Sequence, residues 1–221
     1  MTEDRLGPSN LRGRAFCETD RMIYVAEGPS AAGKSHYVGS LQIPKVVCEL
    51  DGHLRPDDAA SLEETSRFWV RRNEERWAES VHDESAQRIA VCDTDPLKLH
   101  YAWTLARAGL DTKADAFTCQ LTLVRDSLKR KVLGIADLVA CVVPSESVLR
   151  TRRAGDATRT RRNFEQHLLL AAPLKEWYEA LNGVDPGRVM WKWPEEPLSG
   201  KRCERYDLDL FDAWMDRLPT V

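Results

Sequence analysis

The chain has 221 residues, 43% of them hydrophobic and 30% charged, with a formal net charge of −3. That length suits one domain with a sizeable core, and the composition is that of a folded globular protein. The weak negative balance excludes a binder that holds nucleic acid by bulk charge, although it leaves room for a local basic patch.

Residues 1–20 are polar and carry Gly7-Pro8-Ser9-Asn10, so they read as a flexible lead-in. They lack the apolar segment of a secretion signal. Residues 21–221 read as a single domain. The run MIYVA (22–26) is short and apolar, as a buried strand is. A short helix is expected from Gly33 to about Leu41, stopped by Pro44. KVVCEL (45–50) is a second strand. Residues 58–83 read as a helix in which Leu62, Ser66, Trp69, Asn73, Trp77 and Val81 trace a mostly apolar stripe. RIAVC (88–92) is a third strand, running into Asp93-Thr94-Asp95-Pro96. Pro96 suits the first position of a helix over 97–109, closed by Gly109. Ala114, Phe117, Leu121, Val124, Leu128 and Val132 mark the next helix. DLVACVV (137–143) is a fourth strand. It is followed by the arginine-dense stretch RTRRAGDATRTRR (150–162) and a helix with Phe164, Leu168, Ala171, Tyr178 and Leu181 on one face. RVMWKW (188–193) is a fifth strand. Leu208, Phe211, Met215 and Leu218 mark a last amphipathic helix.

Strands that are apolar without alternation, separated by helices, build a parallel sheet covered on both faces. The expected class is α/β, with three layers and five parallel strands. Such sheets bind ligands at the carboxyl ends of their strands. The six cysteines show no C-x-x-C or zinc spacing, and Cys48, Cys92 and Cys141 lie in apolar runs. A reducing, cytoplasmic setting is expected, and no apolar stretch reaches the length of a membrane span.

The strand ends carry the chemistry. After the first comes AEGPSAAGKSH, in which Gly28 and Gly33-Lys34-Ser35 form G-x-x-x-x-G-K-[ST]. Backbone amides of such a loop cradle phosphates, here over Gly28, Ser30, Ala31, Ala32, Gly33, Lys34, Ser35 and His36. The helix that follows offers its positive N-terminus. Lys34 reaches the β- and γ-phosphates, and Ser35 ligates Mg²⁺. After the second strand, Asp51 is placed to orient or deprotonate an acceptor hydroxyl, with Glu49 ranked behind it as nearer the strand. After the third, the four apolar residues IAVC precede Asp93, a Walker B pattern that holds Mg²⁺. Asp95 reads equally as a helix N-cap and as a site residue. After the fourth, Arg150, Arg152, Arg153, Arg159, Arg161 and Arg162 read as an arginine-rich lid over a transferring phosphoryl group, with Arg150, Arg153 and Arg159 as the catalytic candidates. A solvated basic face and an RNA-contact patch are the other readings of this run. The WKWPEEP loop after the fifth strand suits packing on adenine, or Trp191 and Trp193 belong to the core or sheet edge. His82, His100 and His167 read as surface or capping groups.

This pattern resembles the P-loop kinases of small molecules, over roughly residues 22–193. The resemblance implies the sheet order 2-3-1-4-5, a carboxylate at the end of strand two (Asp51) and an arginine lid after strand four. DTD at 93–95 is similar to the sequence that ends a strand in ribosylnicotinamide kinase domains. No D-R-[YFS]-like string follows strand three, which speaks against thymidylate and deoxynucleoside kinases in particular. No N-K-x-D is present for a GTPase, and LSGKR at 198–202 is only part of a transporter ATPase signature. The expected activity is ATP- and Mg²⁺-dependent phosphoryl transfer to a small-molecule acceptor that is nucleoside- or nucleotide-like. An antibiotic-modifying phosphotransferase, a non-catalytic ATP-binding regulator and an RNA-end kinase are the rivals.

Overall fold

The computed structural model describes residues 21–49, 56, 57, 59–110, 115–156, 163–195 and 203–221. Five strands form one parallel sheet: β1 (Met22–Glu27), β2 (Val46–Val47), β3 (Ile89–Asp93), β4 (Leu138–Cys141) and β5 (Val189–Met190). Their order is β2-β3-β1-β4-β5, as the resemblance implies. Val25 lies opposite Cys92 on one side and Val139 on the other. The expected flexible lead-in over residues 1–20 lies outside the described residues.

Alternate residues of β1 face opposite ways, because strand side chains have a period of two. Met22, Tyr24 and Ala26 pack with Tyr37, Val38 and Leu41, mostly from α1 (Lys34–Ser40). Ile23 and Val25 join the larger core, which is filled from five helices. These are α2 (Leu62–Gln87), α3 (Leu99–Arg107), α4 (Ala116–Lys129), α7 (Ala171–Val184) and α8 (Leu208–Asp216). Trp77, Trp103, Trp177 and Trp214 are all nearly inaccessible in that layer. Helices thus cover both faces. Two short helices complete the chain, α5 (Glu146–Ala154) and α6 (Phe164–Leu169).

Several elements depart from the sequence expectation, each for a local reason. The second strand is two residues long because Arg76 Nε donates to the Cys48 carbonyl (3.1 Å) at its end. α2 starts at a capping box between Ser61 and Glu64 and runs to Gln87. Its buried face is largely polar: Ser66, Asn73, Arg76, Ser80, Asp83 and Glu84 accompany Val70 and Trp77. The helix after Pro96 begins only at Leu99. Asp95 Oδ1 accepts from Leu97 N (2.9 Å), and Lys98 takes a left-handed φ of 42°, so the chain turns first. The expected single helix over 164–181 is two. Pro173 brings no N–H to the first turn of α7, which separates it from α6. The first part of the arginine run is helical as α5, where Leu149 is buried and Glu146 pairs with Arg150 at i,i+4.

The amino ends of the strands are tied by a buried ion cluster. Arg205 donates from Nε to Asp137 Oδ1 (3.0 Å) and from Nη2 to Glu84 Oε1 (2.6 Å). Asp137 also accepts from Ile23 N (2.7 Å) and Cys203 N (2.8 Å). No described helix is long and apolar enough to cross a membrane. The five described cysteines are free thiols. Removing one partner of a buried ion pair leaves an uncompensated charge. Arg205→Ala is therefore expected to lower the unfolding free energy by roughly 3–5 kcal/mol, read from urea unfolding followed by circular dichroism.

Candidate active site

β1 delivers the chain into Gly28–Ser35 at the carboxyl edge of the sheet. Space demands glycine at position 28, where a Cβ would stand 2.4 Å from the Val142 carbonyl oxygen and 2.8 Å from Ala32 Cβ. Backbone demands it at position 33, whose φ of 100° lies in the left-handed region. Ala32 N donates to Pro29 O (3.0 Å), closing the loop. Lys34 Nζ donates to Gly28 O (2.6 Å), so the ammonium group lies across the loop from its last turn to its first residue. Ala31 and Ala32 are seated on Leu149 of α5 and Phe164 of α6. From α5, Arg152 Nη1 donates to the Ala32 carbonyl (2.6 Å).

Opposite the loop stand two carboxylates from neighbouring strands. Asp93 closes β3, and its Oδ2 accepts from Ser35 Oγ (3.2 Å). Its Oδ1 is buried with no hydrogen-bond partner among the described residues. Burial raises the Asp93 pKa, against the pull of Lys34. Glu49 follows β2 and is ion-paired with Lys98. Its side chain is half exposed, and although partial desolvation raises its pKa, Lys98, with Lys34 and Arg76, outweighs that and holds it below the usual carboxylate range. Arg76 sets the position of both. Its guanidinium donates to the carbonyls of Cys48 (3.1 Å), Asp93 (3.1 Å), Thr94 (2.7 Å) and Asp95 (3.1 Å).

The loop and the carboxylates border one cleft of about 770 Å³. Gly28, Ser30, Ala31, Ala32, Gly33, Lys34, Ser35, His36 and Asp93 all line it, together with Arg152. Lys98, His100, Tyr101 and Thr104 from around α3, and Leu170 and Leu174 near the start of α7, complete its walls. A hydroxyl beside a carboxylate with one bare oxygen suits a hard divalent cation, so Ser35 and Asp93 fit Mg²⁺. Among the described residues no cluster of three acidic, histidine or cysteine side chains forms a metal cage. Mg²⁺ at phosphate sites uses one or two carboxylates with phosphate oxygens and water, so none is needed.

The floor beneath is polar and buried. Glu27, 2% exposed, ends β1 and lines the cleft. Asp95 Oδ2 accepts from Tyr178 OH (3.0 Å). Burial lifts the Asp95 pKa to about 6, and burial lowers that of His100 to about 4. His100 Nε2 stands 3.7 Å from Glu27 Oε2, and its Nδ1 has no hydrogen-bond partner among the described residues.

Two of the arginine candidates stand elsewhere. Arg150 pairs with Glu146 and Glu165, Arg153 with Glu165, and neither lines the cleft. Arg152 of the same run does. Arg159 and Asp51 lie outside the described residues. Asp95 is not the helix cap, since Lys98 occupies that place. Trp193 stacks on Tyr37 (4.8 Å, 11° between planes), and Trp191 lies on the surface under Lys175, so neither lines the cleft. Sequence reasoning passed over Glu27, Lys98 and His100. For Glu27 a signal existed, a carboxylate closing an otherwise apolar strand. For His100 and His167, also in the cleft wall, nothing in the sequence separates them from surface histidines.

No protein-family model matches the chain, and no curated protein does. Solved structures do. One is NadR protein in complex with NR, at 14% identity and a TM-score of 0.51, covering 89% of this chain and 51% of that one. Another is deoxyadenosine kinase from M. mycoides with bound dATP, at 14% identity and 0.51, covering 77% and 90%. The same kinase with dCMP and dCDP gives 12% identity and 0.51, covering 88% and 95%. The five-stranded parallel sheet in the order β2-β3-β1-β4-β5 with helices on both faces is the P-loop kinase fold of these structures. This chain spans about half the length of the NadR protein. In the P-loop kinase fold the cleft described above lies where the strands end, and the resemblance seen in the sequence holds at the level of fold.

The floor makes stability depend on pH. The His100 pKa falls from 6.5 unfolded to about 4 folded, so its contribution is present above 6.5 and lost as pH falls through 4. Asp95 acts in the opposite sense: its contribution is present below 3.8 and lost as pH rises through 6. His100→Gln removes only the first. Between pH 7 and pH 4 the unfolding free energy of this variant is expected to gain on the wild type by on the order of 3 kcal/mol, measured by urea unfolding at each pH.

Proposed function

We propose that the protein is an ATP- and Mg²⁺-dependent kinase that transfers the γ-phosphoryl group to a hydroxyl of a nucleoside- or nucleotide-like small molecule. The observation that carries this reading is the convergence of Lys34, Ser35, Asp93 and Glu49 on one cleft at the carboxyl ends of β1, β3 and β2. Amides of the loop other than those of Gly28 and Ala32, which are bonded to Glu27 and Pro29, cradle the phosphates, and Lys34 exchanges its bond to Gly28 O for phosphate oxygens. Ser35 and Asp93 hold Mg²⁺, which when bound withdraws charge from the phosphate oxygens. Arg152, already over the loop, takes the role that the sequence suggests for Arg150 and Arg153. Arg159 remains a proposal for the same role.

Glu49 is the stronger candidate for the acceptor carboxylate, because it lines the cleft; Asp51 is the alternative. The acceptor hydroxyl oxygen attacks the γ-phosphorus in line, its proton passes to the carboxylate, and the bond to the β-phosphate oxygen breaks to release ADP. The ion pair with Lys98 fixes the direction of the Glu49 carboxylate.

Acceptor-dependent ADP release with Mg²⁺, screened over nucleosides, nucleotides, sugars, antibiotics and RNA 5′-ends, tests the reading and identifies the acceptor. ATP binding without turnover on any of them would favour a regulatory binder. Lys34→Ala is expected to lower turnover on the order of a hundredfold and to weaken ATP binding. Glu49→Gln should lower kcat roughly 10²–10⁴-fold with ATP affinity nearly unchanged. If Asp51→Asn shows that pattern instead and Glu49→Gln does not, the acceptor carboxylate is Asp51.

A further inference from the structure

Glu27 is a buried carboxylate at the end of a strand whose preceding five residues are all apolar and inaccessible. An ionised group in such a place is unfavourable unless hydrogen bonds compensate it. Among the described residues its hydrogen bonds come from two backbone amides. Oε1 accepts from Gly28 N (2.8 Å), the first residue of the phosphate loop. Oε2 accepts from Asp95 N (3.0 Å), two residues beyond Asp93. Its own carbonyl accepts from Val142 N (2.9 Å), so the backbone is fixed by β4 while the side chain spans the two loops.

We propose that Glu27 is a positioning residue whose carboxylate locks the entry of the phosphate loop to the turn after β3, and so sets the loop against the carboxylate that holds the metal. The inference rests on the kinase reading above. Each carboxylate oxygen takes one amide, one from the loop after β1 and the other from the turn after β3, so the side chain joins two segments that the backbone does not. The two bonds hold the spacing between the amide cradle and Asp93, which a phosphate-bound Mg²⁺ must span. Glutamine cannot replace this. Its single oxygen satisfies one amide and its NH₂ confronts the other, donor against donor.

The test is ATP affinity by calorimetry, with and without Mg²⁺, for wild type, Glu27→Gln and Glu27→Asp, beside thermal melting of each. The gain in affinity on adding Mg²⁺ is expected to fall roughly tenfold in Glu27→Gln, and Glu27→Asp is expected to recover part of it. A lower melting temperature with an unchanged Mg²⁺ gain would reduce Glu27 to a structural residue and overturn the inference, with the kinase reading intact. No ATP binding by wild type removes both. Should the variants not fold, amide exchange in the wild type decides. Protection of Gly28 and Asp95 well beyond that of Ala31 supports the lock, and equal exchange at the three refutes it.

Discussion

Arg76 is the interaction on which the site depends. One guanidinium, 4% exposed, takes four carbonyls at the ends of two adjacent strands. Three of those carbonyls, of Cys48, Thr94 and Asp95, belong to chain that has just left the sheet, and the fourth is that of the last residue of β3. By satisfying them from α2, Arg76 fixes the point at which β2 and β3 stop. Glu49 and Asp93 stand at those points, and their spacing follows from it. The planar fork of arginine suits this task, because its donors diverge in fixed directions.

The rest of the architecture brings the glycine loop to the same edge. β1 lies between β3 and β4, and its side chains are buried on both faces, so the strand has no freedom to shift relative to its neighbours. Leu149 and Phe164 then seat the loop's alanines from outside the sheet. The loop is thus gripped from its apolar side. Arg152 is part of the same seat, since the turn of α5 that buries Leu149 also carries it over Ala32.

The sheet was legible because buried parallel strands are short apolar runs between glycine, proline and charged punctuation, and all five such runs are strands. The glycine loop and Asp93 stand out in the sequence by spacing together with their place after the first and third apolar runs, and the structure brings both to one cleft. α2 was misjudged for a physical reason. Its stripe at helical spacing is real, but its inward residues are chosen for hydrogen bonds, with Asn73 on Leu97 O and Ser80 beside Cys92, which hydrophobicity cannot reveal. The choice among Arg150, Arg152 and Arg153 needed the rotation of α5, and within a run of like residues each helical face looks the same. Glu49 ranked behind Asp51 because the strand was read as reaching residue 50, whereas the backbone leaves the sheet after Val47.

Arg205 stands 68 residues beyond Asp137 and 121 beyond Glu84 along the chain. Until the segment after residue 203 has been made, those two carboxylates have no cation to enclose, and the amino ends of β1 and β4 cannot be sealed. Contacts of such separation close late, because the loops between them must be ordered first. During synthesis the glycine loop, α1 and β3 all emerge before the residue that completes their support. The nascent chain therefore carries every part of its phosphate cradle well before it can hold them rigid, and that interval is when a chaperone has most to act upon.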